Sequence, residues 1–290
     1  MQGKVALVTG ASSGIGKHVA KALAADGWFV IGTGRSAERI QAAEAEIRAV
    51  ATGPGFEMIA ADLSEMRQAL ELARQVESMT DRIDLLVNNA GGMASGLVMT
   101  GEGLEANFAA NHLGPFLLTC ELLPLLRRTA SGQAYGSVRI LMTSSDASEM
   151  IPALDLDDLQ GLANYNPGRA YCSGKLANVV FARALADRLD GDGIVAHAVH
   201  PGAVDSNFFA GASPETQARL KGLDKRSEAE GADTLVWLAS ADEAARSNGD
   251  YWHDRARRTP NPIVADRAVR DGLWTQSEAL VRIALDPPGR

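Results

Sequence analysis

Apolar runs of strand length alternate along this chain with longer segments in which apolar residues recur at helical spacing. The runs are VALVTG, WFVIGTGR, FEMIAADLS, DLLVNNAG, VRILMTSS, IVAHAVHPG and GDYWHD. Most are nearly continuous in apolar character, the pattern of strands covered on both faces. Between them, residues 16–26, 37–51, 65–80, 104–129 and 170–189 read as helices. The alternation implies βαβ units and an α/β fold, a doubly wound parallel sheet of about seven strands with helices on both faces. Ligands of such sheets bind beyond the carboxyl ends of the strands. The pattern breaks near 146–168, near 205–225 and from about 255 onward, without repeats or low-complexity linkers. Residues 1–290 are therefore expected to form one domain with loop insertions and a C-terminal tail.

Composition narrows the function classes. The chain is 46% hydrophobic and 22% charged, as globular proteins are, and its net charge of −8 argues against nucleic acid or an anionic membrane as partner. Cys120 and Cys172 lie far apart with no metal-type spacing, which suggests a reducing compartment. The N-terminal MQGKVALVTG enters a strand at once, and no uncharged apolar run reaches the roughly eighteen residues that would suggest a membrane span. A soluble, cytoplasmic protein with no metal, membrane or nucleic-acid partner is expected.

Candidate chemistry begins after the first run. TGASSGIG, Thr9 to Gly16, places glycines at 10, 14 and 16, which permit a tight strand-to-helix turn and a close backbone approach. The helix that follows aims free N–H groups and its positive dipole end at that turn, favouring a pyrophosphate. The spacing is G-x-x-x-G-x-G and not the general G-x-G-x-x-G, and a purely structural turn also uses glycine. Its position after the first strand of an alternating chain favours nucleotide binding. The second run ends VIGTGRS, where dinucleotide folds place an acid for the adenosine ribose. Arg35 and Ser36 stand there instead. An arginine suits a 2′-phosphate, so NADP(H) is preferred over NAD(H); a solvated arginine at a helix start is the alternative. Further along, AYCSGKLANVVFARALADRL carries Tyr171 and Lys175 one helical turn apart. This is either an amphipathic surface helix with a chance pair or a unit in which a cationic lysine stabilises the phenolate of an acid/base tyrosine.

Four further pieces bear on that choice: ADLS (61–64), NNAG (88–91), NHLGPFLLT (111–119) and HPGAVDS (200–206). With TGASSGIG and YCSGK, in this order and spacing, they resemble the short-chain dehydrogenase/reductase superfamily. The wording NHLGPFLLT, AYCSGKLANVVFAR and VHPGAV is most similar to its retinol dehydrogenase and WW-domain oxidoreductase branch, over about residues 4–254. The resemblance implies a Rossmann-type sheet and an active site of Asn111, Ser145, Tyr171 and Lys175. Ser145 is preferred to Ser144 because the superfamily's serine is usually the second of such a pair. Cofactor contacts would fall on Gly10, Ser12, Ser13, Gly14, Ile15 and Gly16, on Arg35 and Ser36, and on Asp62 and Leu63 at the adenine. Asn89, Ala90 and Gly91 would follow, then Tyr171 and Lys175, with Pro201, Gly202, Val204 and Ser206 along the nicotinamide half. Tyr171 would be the general acid/base, Lys175 would also bond the nicotinamide ribose, Ser145 would hold the substrate oxygen and Asn111 a water. Homodimers or homotetramers are the superfamily's habit.

Three features depart from the pattern. No N-terminal anchor of the kind frequent in retinol dehydrogenases is expected, since MQGKVALVTG enters a strand at once. The interval from Ser145 to Tyr171 is about twice that of the shorter reductases, and its insertion is expected at the substrate entrance. The tail RARRTPNPIVADRAVRDGLWTQSEALV is expected to cap the site. Other candidates are weaker. His197 and His200 would face opposite sides of a strand, DLDDLQ reads as a solvated loop, RARR as a surface patch, and no G-x-S-x-G is placed for a hydrolase.

Met93, Ala94, Met150, Ile151, Ala153, Phe208 and Phe209 would either line the substrate end or merely seal loops. As a lining they favour a small apolar or aromatic carbonyl. The expected activity is hydride transfer between NADP(H) and a ketone, aldehyde or secondary alcohol. The alternatives are a catalytically idle NADP(H) sensor and a non-redox epimerase or dehydratase.

Overall fold

The computed structural model describes residues 3–206, 208, 212, 214–222 and 224–286. In chain order, β1 (Val5–Val8), α1 (Gly14–Ala25), β2 (Phe29–Gly34), α2 (Ala37–Arg48), β3 (Phe56–Ala60), α3 (Met66–Met79) and β4 (Leu85–Asn88) form the first half. A broken helix follows: α4 (Ala106–Phe108), a π-helical turn (Ala109–Leu113) and α5 (Gly114–Ala130). Then come β5 (Val138–Thr143), α6 (Pro167–Arg188), β6 (Ile194–Val199), α7 (Pro214–Lys221), α8 (Glu228–Leu238) and α9 (Asp242–Ala245). The chain ends with β7 (Tyr251–His253), β8 (Ala256–Arg257) and α10 (Arg267–Leu285).

The sheet order is β3-β2-β1-β4-β5-β6-β7-β8. Seven strands are parallel, as the continuous apolar runs require, and β8 is an antiparallel addition to β7. Alternate residues serve two cores. Val5 and Leu7, with Val138, Ile140 and Met142, pack toward α3, α5 and α6. Ala6 and Val8, with Leu141 and Val199, pack toward α1, α2 and α8. The chain reverses its winding between β1 and β4, so their carboxyl ends part to leave a crevice.

The region expected as one helix over 104–129 is interrupted. Glu105 caps α4, its carboxylate accepting from the N–H groups of Asn107 and Phe108 at 3.0 and 2.7 Å. The π turn then lets α5 restart at Gly114, whose hydrogen lies so close to the β3–α3 loop that a Cβ would stand 2.0 Å from the Leu63 carbonyl oxygen. Helix α6 starts earlier than expected, because Asn166 accepts from the Arg169 N–H at 2.9 Å and Pro167 occupies the first turn.

The tail differs from expectation. It forms α10, which packs on α3, α5 and α6, with Trp274 against Phe116 and Phe181. Ion pairs Arg270–Asp187 (2.7 Å) and Arg188–Asp271 (2.9 Å) fix it there. The amphipathic face of α10 buries itself on neighbouring helices, and none of its described residues reaches the crevice. The basic RARR patch is neutralised: Arg255 pairs with Asp233, Arg257 with Asp250 and Arg258 with Glu149. Among the described residues no helix is long and apolar enough to cross a membrane.

Gly114→Ala is expected to destabilise the protein by about 1–3 kcal/mol, since backbone must shift to admit the methyl group. A urea midpoint lowered at unchanged slope would show this, and an unchanged midpoint would refute the contact.

Candidate active site

A cleft of about 950 Å³ opens beyond the carboxyl ends of β1, β2, β4 and β5. At one end lies the glycine-rich turn. Gly10 and Gly14 take left-handed backbone angles, φ 71° and 60°, that suit glycine. Gly16 sits beneath the turn, where a Cβ would come 2.4 Å from the Gly10 carbonyl oxygen. Thr9 and Asn89 lock the ends of β1 and β4 together: Thr9 Oγ1 accepts from Asn89 N and Ala90 N, and Asn89 Nδ2 donates to Thr9 O. Ser13, at the start of α1, makes no side-chain cap, so the first N–H groups of that helix face the cleft without a side-chain acceptor. A pyrophosphate fits this arrangement of donors and helix dipole.

Most residues expected at a cofactor line this cleft: Gly10, Ser12, Ser13, Gly14 and Ile15, then Arg35, Ser36, Asp62 and Leu63, then Asn89 to Gly91. Tyr171, Lys175, Pro201, Gly202, Val204 and Ser206 line its other half. Arg35 is well exposed and lies 3.6 Å from Asp62 across the cleft mouth. Ser36 has a second task, capping α2 by accepting from Arg39 N. Two residues stand back from the cleft. Gly16 supports the turn from below. Asn111, in the π turn, donates from Nδ2 to the Gly92 and Asn107 carbonyls, both at 2.8 Å, and so shapes the loop after β4.

On the floor of the opposite half, Tyr171 is buried and hydrogen-bonded to Ser145. Ser145 Oγ also lies 2.9 Å from Asp146 Oδ1 and accepts from Ala147 N at 3.2 Å. Its single proton goes either to the carboxylate, leaving it to accept from Tyr171, or to the tyrosine oxygen, favouring phenolate. Ser144 is otherwise engaged, donating to the Lys175 carbonyl at 2.7 Å. The Lys175 ammonium donates to Thr143 O at 3.3 Å and lies 5.8 and 5.1 Å from the ring centroids of Tyr171 and Phe208. Burial dominates the electrostatics. It pushes the Tyr171 hydroxyl well above its ordinary value, with the Asp146 charge adding to the effect, and pulls the Lys175 ammonium down to about 8.

The apolar wall is formed by Met93, Ala94, Val98 and Phe208. Met150, Ile151 and Ala153, expected there, are elsewhere. Met150 is 63% exposed, Ala153 is exposed and Ile151 packs against the main core. Asn261, donating to the Ile151 carbonyl at 2.7 Å, and Arg258, paired with Glu149, draw the segment toward the tail. From the long insertion, Asp146 lines the cleft, and Tyr165 supports its wall by accepting from Asn107 Nδ2 at 2.8 Å. Phe209 lies outside the described residues. Sequence reasoning missed Arg39, four residues beyond Arg35 in the same wall of the cleft, and Asp146 beside Ser145. Arg35 precedes α2, whose N-cap is Ser36, so helical spacing does not pair it with Arg39, and neither Arg39 nor Asp146 carried a readable signal. Among the described residues, no cluster of three His, Cys, Asp or Glu is arranged to hold a metal.

Comparison with known proteins agrees with this architecture. Residues 4–156 match the family model for short chain dehydrogenase. Retinol dehydrogenase 13 of Mus musculus is 33% identical, over 99% of this chain and 87% of its own length. Polyprenol dehydrogenase of Mus musculus is 36% identical, over 94% of this chain and 82% of its own length. Among solved structures, the Pseudomonas aeruginosa RhlG/NADP active-site complex superposes with a TM-score of 0.68 at 28% identity, covering 86% of this chain and 93% of that one. The chain thus belongs to the short-chain dehydrogenase family of oxidoreductases, in its retinol dehydrogenase-like branch.

Proposed function

We propose that this protein transfers a hydride between NADP(H) and an apolar or aromatic ketone, aldehyde or secondary alcohol, with Tyr171 as general acid/base. The observation that carries the reading is the convergence of Tyr171, Ser145 and Lys175 on the floor of a cleft whose far end presents the free start of α1. A bound nicotinamide supplies the hydride in reduction and takes it in oxidation. In reduction, Tyr171 gives its hydroxyl proton to the carbonyl oxygen as the carbon gains the hydride, leaving an alcohol and a phenolate. Ser145 turns its proton from Asp146 to the substrate oxygen, where charge develops. Lys175 stabilises the phenolate and keeps it poised for reprotonation. Asn111 shapes the loop after β4, and a water on its carbonyl would complete the path by which that proton is resupplied. Met93, Val98 and Phe208 favour an apolar substrate, in keeping with relatives named for retinol and polyprenol.

Preference for the phosphorylated cofactor rests on Arg35 and Arg39 at the adenosine end and on the lack of an acid after β2. A neighbouring family structure was solved with NADP.

The first test follows NADPH and NADH consumption with a panel of apolar ketones and aldehydes. Turnover with NADPH should fall by at least about 100-fold in Tyr171→Phe; a variant with full activity would overturn the acid/base assignment. Binding of NADPH without turnover of any panel member would favour a nucleotide sensor. Arg35→Ala should raise the NADPH Kd about 10- to 100-fold and leave NADH unaffected, and equal effects on both cofactors would refute the 2′-phosphate contact.

The lowered Lys175 value has a thermodynamic counterpart. Folding moves this group from 10.5 to about 8, so between those pH values the unfolded chain binds more protons and stability rises with pH. Below that window the ligand-free fold bears the cost of a buried ammonium. Lys175→Met should therefore stabilise the ligand-free protein at pH 7, by roughly 3 kcal/mol, with the gain shrinking as pH climbs through the window. Urea melts giving the same gain at pH 7 and pH 10 would contradict this origin.

A further inference from the structure

Behind the cleft, buried polar groups run in an unbroken line from Lys175 to the C-terminal helix. Asn178 lies one turn beyond Lys175 on α6 and is buried. Its Nδ2 donates to two backbone carbonyls, Asn111 O at 3.0 Å and Thr143 O at 3.2 Å. The second of these also accepts from the Lys175 ammonium, at 3.3 Å. With both amide protons committed, Asn178 Oδ1 meets His112 Nδ1 at 3.3 Å as an acceptor, so the imidazole carries its proton on Nδ1. His112 Nε2 then accepts from the Ser277 hydroxyl at 2.9 Å. Ser277 belongs to α10 and is fully buried, as is His112 among Phe108, Phe116 and Phe181. Burial pulls His112 down to about 4, so the ring stays neutral and this tautomer persists at neutral pH.

Every proton in the line has one direction: Ser277 to His112, His112 to Asn178, Asn178 to the carbonyls of Asn111 and Thr143. Such a line fixes the amide against rotation, since a flipped amide would set its oxygen against two carbonyl oxygens and its protons against His112 Nδ1–H. The amide in turn occupies part of the accepting capacity of Thr143 O. The ammonium is left a long bond there and its remaining protons are directed toward the cleft, where Tyr171 and the nicotinamide ribose would meet them.

We propose that Asn178, His112 and Ser277 are positioning residues for Lys175, so that α10 reaches the acid/base unit through one oriented hydrogen-bond line. The proposal rests on the reading of Tyr171 and Lys175 given above. Without the amide, Thr143 O becomes the better acceptor and draws the ammonium back from the phenolate. The titratable groups that bear on Tyr171 are Asp146 after β5, Cys172 beside it on α6 and Tyr251 of β7, and the Lys175 ammonium lies 5.8 Å from its ring; of these, only Lys175 adjoins the line of Asn178 and Ser277.

The test measures ionisation of Tyr171 from phenolate absorbance in the NADP⁺-bound protein, taken as the difference between each variant and its Tyr171→Phe counterpart. It is made alongside kcat with a ketone, Kd for NADPH and thermal melting. Asn178→Asp and Asn178→Ala should weaken the Tyr171 acid by about tenfold or more and lower kcat about 100-fold, with NADPH Kd changed by less than about threefold. Ser277→Ala should move both readouts the same way by roughly 5- to 10-fold, and Ser277→Thr, which keeps the hydroxyl, should restore them. Unchanged Tyr171 ionisation and kcat in folded Asn178 variants would overturn the proposal, whatever the melting temperature does. Should those variants fail to fold, Ser277→Ala decides: wild-type values in both readouts overturn it. Full turnover by Tyr171→Phe alone would overturn the acid/base reading instead, and that variant leaves the Asn178 line intact, so the two failures are distinguishable.

Discussion

A lysine ammonium held in the interior, donating to the Thr143 carbonyl at 3.3 Å, is the constraint on which this site is organised. A buried cation is tolerated only where nearby oxygens and rings offset its lost hydration. Here the offset comes from the end of β5, from the faces of Tyr171 and Phe208, and from a helix whose backbone at Lys175 is anchored by Ser144. That anchoring separates two adjacent serines into different duties. Ser144 ties strand to helix, and Ser145 is left beside the tyrosine.

The glycine-rich turn and the Tyr171–Lys175 pair were legible in the primary structure because each is a local event. Glycines at 10, 14 and 16 are demanded by a turn within one short segment, and Tyr171 and Lys175 are coupled by helix pitch alone. The strands were readable for the same reason, since a strand covered on both faces has to be apolar throughout. The break at Ala109–Leu113 was not readable: its sequence is helical, and only the approach of Gly114 to the Leu63 carbonyl shows why the helix restarts there. Met150, Ile151 and Ala153 were misplaced because their course is set by Asn261 and Arg258, more than a hundred residues away. Helix α10 carried a capping aspartate, Asp266, and a periodic apolar face. Both signals are local, yet neither says on which surface of the domain the helix lies.

The two halves of the cleft are built by different means. The half at the glycine-rich turn is mainly backbone: turn, helix start and the ends of β1 and β4 cross-tied by Thr9 and Asn89. Its shape asks for a few fixed side chains, Thr9, Asn89 and the glycines of the turn. The other half, around Tyr171, depends on side chains from dispersed loops, Met93, Val98, Asp146 and Phe208. Relatives at about one-third identity can therefore share the first half while recognising different molecules in the second.

The hairpin formed by β7 and β8 bears on behaviour in concentrated solution. Open sheets carry a row of unpaired backbone donors and acceptors along each outer strand, a template on which another chain can add itself. One margin of this sheet ends in the two residues of β8, whose neighbours Asp254 and Arg255 turn through left-handed angles of 50° and 57°. The other margin, β3, has Glu57 exposed and paired with Arg48. Both margins are blunted by brevity or charge, which disfavours growth by strand addition and leaves helices and loops as the surfaces on which copies of this chain would have to meet.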